Sequence, residues 1–434
     1  MKNTKRVWKR FSYRECGAFA KYLEKQSEKG WHFKEWKFGL VFERGLPEKR
    51  VYDVEVFPDG EELDERPGEE ALEYAEYCRE AGWELIDGKR KFCIFRRRRK
   101  DAVPIVTQEE RLENIWKIER KNLQRYLRLF GFLFLFELYD AFRFPESFFL
   151  SDTSLLNFFL YGTGTLFCIL GGIDLIFWKR HADREIEKGN PIYFDKKGKL
   201  DWQRTRIIIF FIIVVLGVIR MLQTGRWNMM IMLAAMGIFF WTIDAAFAFW
   251  RPQRFQNWLL SRGLALLFMV ALIIVSVLLP MDPLPKENVP EEELPLVQTD
   301  YRQTDEIFSS AEIRYEESIL ADKIQYTVIF KENGEGNESA LSEEEGENRT
   351  DELTYQIYEG KYDWILDRIW KDQMDVHKGT DCRELWDAEQ AVLCEWSDGT
   401  YSYYVKYPEN ILILTSEEPL DERQTRIIRE KLAL

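Results

Sequence analysis

The side chains best suited to metal or nucleophilic chemistry are six cysteines and three histidines. No two cysteines are separated by only two residues, and the histidines lie far apart in the chain. Zinc sites need closely spaced ligands of this kind. No glycine-rich phosphate loop, zinc-protease motif or Gly-x-Ser-x-Gly elbow occurs in the sequence. We therefore expect no catalytic residues, no metal and no cofactor.

Six charged residues lie within apolar stretches, where ionisable side chains are costly. They fall into two predicted layers, an outer cluster of Glu137, Asp140 and Arg220 and an inner cluster of Asp174, Asp244 and Arg262. Three interpretations stay open for these residues: hydration at the level of the lipid headgroups, structural ion pairing, and a path for an ion or proton.

The apolar stretches themselves lie at 126–142, 155–178, 207–222, 229–250 and 258–279. A bilayer core takes about 20 helical residues, a length that the second, fourth and fifth stretches reach. The first and third are shorter, and each has the alternative of an interfacial helix. Because basic residues concentrate before the first stretch and between the second and third, the pattern predicts a five-helix transmembrane bundle with a cytoplasmic N-terminus.

The two ends of the chain differ strongly in charge. Residues 281–434 hold 38 acidic and 16 basic side chains, a net charge of −22, whereas residues 1–280 hold 36 acidic and 45 basic ones, a net charge of +9. Such asymmetry indicates two compartments. We expect a multi-pass protein of a bacterial cell membrane, with its C-terminus outside the cytoplasm.

Residues 9–99 contain a duplication in which an amphipathic helix ends at Gly-Trp and leads into strands. Gly30-Trp31 closes the first copy of the helix and Gly82-Trp83 closes the second. Glycine commonly ends a helix in the left-handed conformation. Two such halves predict an N-terminal α+β domain with a ferredoxin-like order of strand, helix, strand, strand, helix, strand.

These residues resemble a bacterial family, the domain of unknown function 2812. The resemblance rests on the two Gly-Trp pairs, on Tyr52-Asp53-Val54 and on Cys93-Ile94-Phe95-Arg96, and it covers about residues 9–99. Members of the family often continue into several membrane helices. The resemblance implies no established activity.

The C-terminal region, residues 300–434, is predicted to be a second α+β domain, reached through a Pro/Glu linker at 281–299. Its polar stretch at 333–352 is predicted to be a disordered loop. Cys382 and Cys394 would lie outside the cytoplasm, where disulfides persist. They are candidates for a disulfide, with two core thiols as the alternative.

The predicted organisation is a cytoplasmic domain at 1–100, a basic juxtamembrane helix at 101–125, a membrane bundle at 126–280, the linker and the outer domain. The basic cluster from Arg96 to Lys100 fits lipid headgroups better than nucleic acid, because it lies before the membrane region and the first 95 residues are not strongly basic. The expected partners are the bilayer and a cytoplasmic protein. Two functions are compatible with this organisation, a sensor or regulatory scaffold and a transporter or channel component using intramembrane carboxylates.

Overall fold

A computed structural model describes the chain in seven segments, 3–195, 202–225, 227–252, 254–278, 285–302, 306–332 and 352–434. The chain divides into two compact units. The first comprises Met1–Leu133, Leu160–Leu216 and Trp227–Leu279, and the second comprises Phe134–Phe159, Gly217–Arg226 and Pro280–Leu434. The predicted loop at 333–352 lies outside the described residues except for its last residue.

The N-terminal part of the first unit is rich in β-structure. Its elements are β1 (Thr4–Val7), α1 (Cys16–Glu28), β2 (Trp31–Trp36), β3 (Leu40–Arg44), β4 (Tyr52–Val56), α2 (Glu69–Glu80), β5 (Trp83–Lys89) and β6 (Phe92–Arg97). The strands form two antiparallel three-stranded sheets, in the orders β1-β3-β2 and β4-β6-β5.

The ferredoxin-like prediction is therefore wrong. The central strand is β3 in the first sheet and β6 in the second, and each is the last strand of its half of the duplication. Each sheet is therefore built only from strands of one half. The first strand of the N-terminal region is β1, at Thr4–Val7, and the residues directly before α1, Tyr13–Glu15, form a short 3-10 turn.

The two Gly-Trp pairs occupy equivalent places in the two halves. Gly30 follows α1 with φ +74° and Gly82 follows α2 with φ +95°, a backbone conformation that favours glycine. A Cβ on Gly30 would lie 2.7 Å from the carbonyl oxygen of Gly45. Trp83 is buried, and its indole Nε1 donates a hydrogen bond to the carbonyl oxygen of Val103 at 2.6 Å.

Six helices follow the two small sheets. They are α3 (Gln108–Arg143), α4 (Pro145–Phe149), α5 (Asp152–Glu187), α6 (Trp202–Gln223), α7 (Trp227–Trp250) and α8 (Arg254–Leu278). Among the described residues, two helices are long and apolar enough to cross a membrane, namely α5 and the part of α7 from Met230 to Trp250. By length and composition alone, these two helices are weak evidence of membrane insertion.

The predicted five-helix transmembrane bundle is thus wrong. The first predicted span lies within α3 and includes three charged residues, Arg128, Glu137 and Asp140. The described apolar segments of α6 and α8, Phe211–Gln223 and Leu259–Phe268, are shorter than the roughly 20 residues that a bilayer core requires.

The core of the first unit joins the small sheets to the start of α3. Phe19 and Leu23 of α1 and Phe42 of β3 pack with Leu112 and Ile115, which are fully buried on one face of α3. Positions three apart lie on the same side of a helix, so the first turns of α3 complete this core. A second, smaller core around Trp83 and Phe95 lies under α2.

The second unit is built on an eight-stranded antiparallel sheet in the order β11-β12-β13-β14-β10-β9-β8-β7. Its strands are β7 (Lys286–Glu287), β8 (Glu306–Glu317), β9 (Ala321–Glu332), β10 (Glu352–Gly360), β11 (Thr380–Asp381), β12 (Gln390–Glu395), β13 (Tyr401–Lys406) and β14 (Asn410–Ser416). Its further helices are α9 (Gln298–Tyr301), α10 (Asp363–Val376), α11 (Arg383–Trp386) and α12 (Glu422–Leu432).

Both faces of this sheet are covered, because successive side chains along a strand point to opposite faces. Leu412 of β14 packs in a core with Trp386 and Ile428, whereas the adjacent Ile411 packs with Ile365 of α10. The described part of the predicted linker belongs to this domain, since its apolar side chains are buried in the first of these cores (Val289, Leu296 and Val297).

Candidate functional site

A cluster of charged side chains that includes the buried Glu55 lies between β4 and α3. Asp53 and Glu55 are two positions apart on β4 and therefore project from the same face of the strand. The guanidinium of Arg111, in the first turn of α3, donates from Nη2 to Asp53 Oδ1 at 2.9 Å and also to Glu55 Oε1. We call these three residues the Arg111 cluster.

The Arg111 cluster holds two carboxylates against one cation. Glu55 is 3% exposed. Burial, opposed by Arg111 and assisted by Asp53, raises the pKa of Glu55 from 4.5 to about 7. The nearby Cys16 thiol is also buried, and burial raises its pKa to about 12. Glu55 is thus a buried carboxyl group that exchanges its proton near neutral pH.

A second cluster binds the N-terminal region to α5. Arg14 donates from Nε to Glu119 of α3 at 2.6 Å and from Nη1 to Asp174 of α5 at 2.8 Å. Its guanidinium carbon also lies 4.8 Å from the centre of the Trp178 ring, a cation–π contact. We call these residues the Arg14 cluster. It connects three elements that are far apart in the sequence.

Further charged contacts lie around the small sheets. Arg251, between α7 and α8, donates from Nη2 to Asp87 at 2.7 Å and from Nε to the carbonyl oxygen of Glu65 at 2.8 Å. Tyr13 donates to Glu62 at 2.9 Å, and Asn122 of α3 donates to the same carboxylate at 2.6 Å. Ion pairs and hydrogen bonds thus add to the shared apolar core in fixing the N-terminal region to its neighbouring helices.

In the second unit, Glu146 of α4 accepts from three side chains. Lys323 Nζ lies 2.8 Å from Oε1, the Tyr358 hydroxyl lies 2.9 Å from the same oxygen, and Gln373 Nε2 lies 2.7 Å from Oε2. We call these four residues the Glu146 cluster. Because Lys323 and Tyr358 belong to adjacent strands and Gln373 to α10, a single carboxylate joins α4 to the sheet and to a helix covering it.

The predicted outer cluster does not form. Arg220 pairs with Asp152 at 3.0 Å and with Glu317 at 2.9 Å instead of pairing with Glu137 or Asp140. Asp152 also accepts from the backbone N–H of Ile319 at 3.0 Å. Thus Asp152, in the first turn of α5, binds both the end of α6 and the turn between β8 and β9.

The predicted inner cluster also differs from the structure. Asp174 pairs with Arg14, while Arg262 is an exposed residue of α8. The side chain of Asp244 lies outside the described part of the structure. Asp174 and Arg220 are therefore engaged in structural ion pairs, which gives no support to an ion path through them.

Cys382 and Cys394, the candidates for a disulfide, are both free thiols, as are the other four cysteines. Burial, with smaller contributions from Asp381 and Cys394, raises the pKa of the Cys382 thiol to about 11. Within the described ranges, no group of three or more His, Cys, Asp and Glu residues could hold a metal ion.

Sequence reasoning missed Arg14, Arg111, Glu55 and Glu146. One signal was available, because an Asp-x-Glu pair on an alternating strand puts two carboxylates on one face and requires a cation if that face is buried. The identity of the cation depends on tertiary contacts. The clusters pair arginine and lysine with carboxylates, an arrangement that holds helices and strands together.

No curated protein and no solved structure matches the chain. The segment from 18 to 127 extends through the first turns of α3 and so includes the Arg111 cluster together with Glu119. This segment matches the family described as Protein of unknown function (DUF2812), which confirms the resemblance carried by the two Gly-Trp pairs.

Proposed function

We propose that this protein is a membrane-anchored sensor or regulatory scaffold. In this proposal the C-terminal domain responds to conditions outside the cytoplasm, and the DUF2812 segment binds a cytoplasmic protein. The observation that carries the proposal is the pair of charged contacts on one apolar helix. In α5, Asp152 binds the C-terminal domain through Ile319, and Asp174 binds the N-terminal region through Arg14.

The sequence of α5 supports its role as the connecting element. Most of its apolar stretch, 155–178, lies between Asp152 and Asp174, and the helix is one of the two that are long and apolar enough to cross a membrane. A ligand-induced change acts on a distant site only through an element whose contacts differ between two states. The ion pairs that Asp152 and Asp174 form with Arg220 and Arg14 are contacts that a signal can break or form.

The proposed topology places the basic N-terminal region in the cytoplasm and the acidic C-terminal domain on the opposite side. The charge asymmetry of the chain supports this orientation. It requires an odd number of crossings, and in it α5 runs from the outer side at Asp152 to the cytoplasmic side at Asp174. Cysteines introduced at exposed Lys25 and Glu395, one at a time, test the topology: in intact cells an impermeant maleimide should label Glu395→Cys, but not Lys25→Cys, above the level of the unsubstituted chain, in which Cys382 is partly exposed.

The exposed face of α2 is the proposed binding surface for the cytoplasmic partner. Leu72 is 50% exposed and Tyr77 is 66% exposed, although both are large apolar residues. Five glutamates lie along the same short helix (Glu69, Glu70, Glu73, Glu76 and Glu80). Exposed apolar groups within a strongly charged surface are typical of interaction sites. The matching partner surface would be basic.

Photo-crosslinking in intact cells tests this proposal on the full chain. A photoreactive amino acid at Tyr77 should give a discrete protein adduct, whereas the same amino acid at exposed Lys25 of α1 should not. Glu73→Lys should weaken the adduct because it reverses the charge beside Tyr77. The absence of an adduct at Tyr77 would contradict the scaffold function.

The connection through α5 has its own test in the same cells. Asp174→Asn removes the anionic partner of Arg14, so the adduct yield at Tyr77 should change. Glu187→Gln, at the exposed end of the same helix, is the matched control and should leave the yield unchanged. Equal yields in the wild type, Asp174→Asn and Glu187→Gln would contradict coupling through the Arg14 cluster.

A further inference from the structure

An apolar groove with a volume of ≈ 540 Å³ lies in the second unit. It is formed by the end of α3, by α4, by the first turns of α5, by the turn between β8 and β9, and by α10. The volume is within the range of about 300–1,000 Å³ that is usual for small-molecule sites. We call it the phenylalanine groove.

The floor and the rim of the phenylalanine groove differ in exposure. Phe148 and Phe149 are buried at 5% and 8% exposure, whereas Phe142, Phe159 and Trp364 on the rim are 66%, 56% and 56% exposed. Soluble surfaces seldom leave such large aromatic side chains in contact with water next to a concave apolar floor. An apolar ligand would therefore bury more surface here than on a flat part of the domain.

Charge is confined to one end of the groove. Arg368 is the single charged residue of the described lining, and its guanidinium donates to the carbonyl oxygen of Phe142. The surrounding charges also include Arg143 and three carboxylates, Glu146, Asp372 and Asp375, of which Glu146 is paired with Lys323. These four side chains are not among the described residues that line the groove, so the guanidinium of Arg368 is the charge that a bound ligand would meet, and it favours an anionic group on the ligand.

The position of the groove along the chain indicates where such a ligand comes from. Phe159 belongs to the first turns of α5, the helix that we propose crosses the membrane. Tryptophan and arginine side chains, such as Trp364 and Arg368, are characteristic of the interface between lipid tails and headgroups. A long apolar chain with an anionic end fits both the groove and this location.

We propose that the phenylalanine groove binds one acyl chain of an anionic membrane lipid, with the lipid phosphate at Arg368. The proposal rests on the proposed function, because it requires that α5 reaches the bilayer. It deepens that function by naming a lipid as the ligand of the C-terminal domain. Lipid in the groove would contact α5 and α10 together and so stabilise their packing.

The test uses the full chain in vesicles of phosphatidylcholine that contain phosphatidylglycerol with a photoreactive diazirine on one acyl chain. After irradiation, we expect adducts in peptides from α4, from the start of α5 and from α10. Ile319→Trp places a larger side chain at the rim and should lower the yield of these adducts several-fold. Ile307→Trp, at a similarly exposed position of β8, is the matched control and should leave the yield unchanged.

A second variant tests the headgroup. Arg368→Gln should lower the adduct yield with the phosphatidylglycerol probe, but not with a diacylglycerol probe that carries the same diazirine chain and has no phosphate. Equal losses with both probes would overturn the assignment of the phosphate to Arg368. Adducts that are spread evenly over the exposed apolar helices, and are unchanged by Ile319→Trp, would overturn the groove as a lipid site.

Vesicle flotation separates the failure of this proposal from failure of the proposed function. Protein that floats with the vesicles but forms no groove adducts would overturn the lipid site and leave membrane anchoring intact. Protein that does not float would overturn membrane anchoring and the lipid site together.

Discussion

The Arg111 cluster should make the stability of the DUF2812 segment depend on pH. Glu55 has a pKa of about 7 in the folded chain, compared with its ordinary value of 4.5. The folded state therefore binds this proton more tightly than the unfolded state does. By linkage, the stabilisation is fully present below about pH 4.5 and is lost as the pH rises through about 7.

The size of the effect follows from the two pKa values. A change from 4.5 to about 7 corresponds to about 3 kcal/mol, at about 1.4 kcal/mol for each pH unit. Cys16 and Cys93 are close enough to act on the cluster, but burial raises the pKa of each thiol to about 12, so neither titrates in this range. The change in the free energy of unfolding between pH 5 and pH 8 should therefore come mainly from Glu55.

Hydrogen–deuterium exchange measures this change in the full chain. Amides of β4 and β6, corrected for the intrinsic pH dependence of exchange, should lose protection between pH 5 and pH 8. Glutamine does not titrate, so in Glu55→Gln the protection of these amides should depend much less on pH.

Glu84→Gln on β5 is the matched control. Hydrogen bonds from Arg98 and Arg96 lower the pKa of Glu84 to about 2, so it stays ionised throughout this range. Protection that rises with pH in the wild type, or an unchanged slope in Glu55→Gln, would refute the reasoning.

Two further predictions concern the second unit. Lys323→Met should destabilise it by about 2 kcal/mol, because Glu146 loses its cation; Glu146→Gln in the same chain should recover part of this loss in thermal denaturation. Cys382 and Cys394 should both react with an alkylating reagent after unfolding without a reductant, and labelling that appears only after reduction would show a bridge instead.

Local features of the fold could be predicted from the sequence. The helix ends at Gly30 and Gly82 follow from the freedom of glycine at positive φ, and the structure has this conformation at both. The strands of the C-terminal domain also lie close to the alternating segments of the sequence. Ser397-Asp398-Gly399-Thr400 contains the Asp-Gly pair that is typical of a hairpin turn, and it connects β12 to β13. These features depend on residues that are near one another in the chain.

Pairings between distant segments could not be predicted in the same way. The duplication was visible, but the sequence does not determine whether its two halves share one sheet, and the structure has two. Arg14 and Asp174 are 160 positions apart, so no local pattern connects them. The apolar neighbours of Asp174 alone predict a membrane cluster, because they do not show that the N-terminal region supplies its partner. Counting apolar stretches likewise overestimated the number of long apolar helices.

The burial of α3 determines where the N-terminal domain can be cut. The sequence suggested an end near residue 100, yet Leu112 and Ile115 fill the core and Arg111 neutralises β4. A fragment that stops at residue 100 would expose this core to water and leave two carboxylates without their cation. The smallest piece that can be expected to fold alone therefore includes the first turns of α3, in keeping with the family match that ends at residue 127.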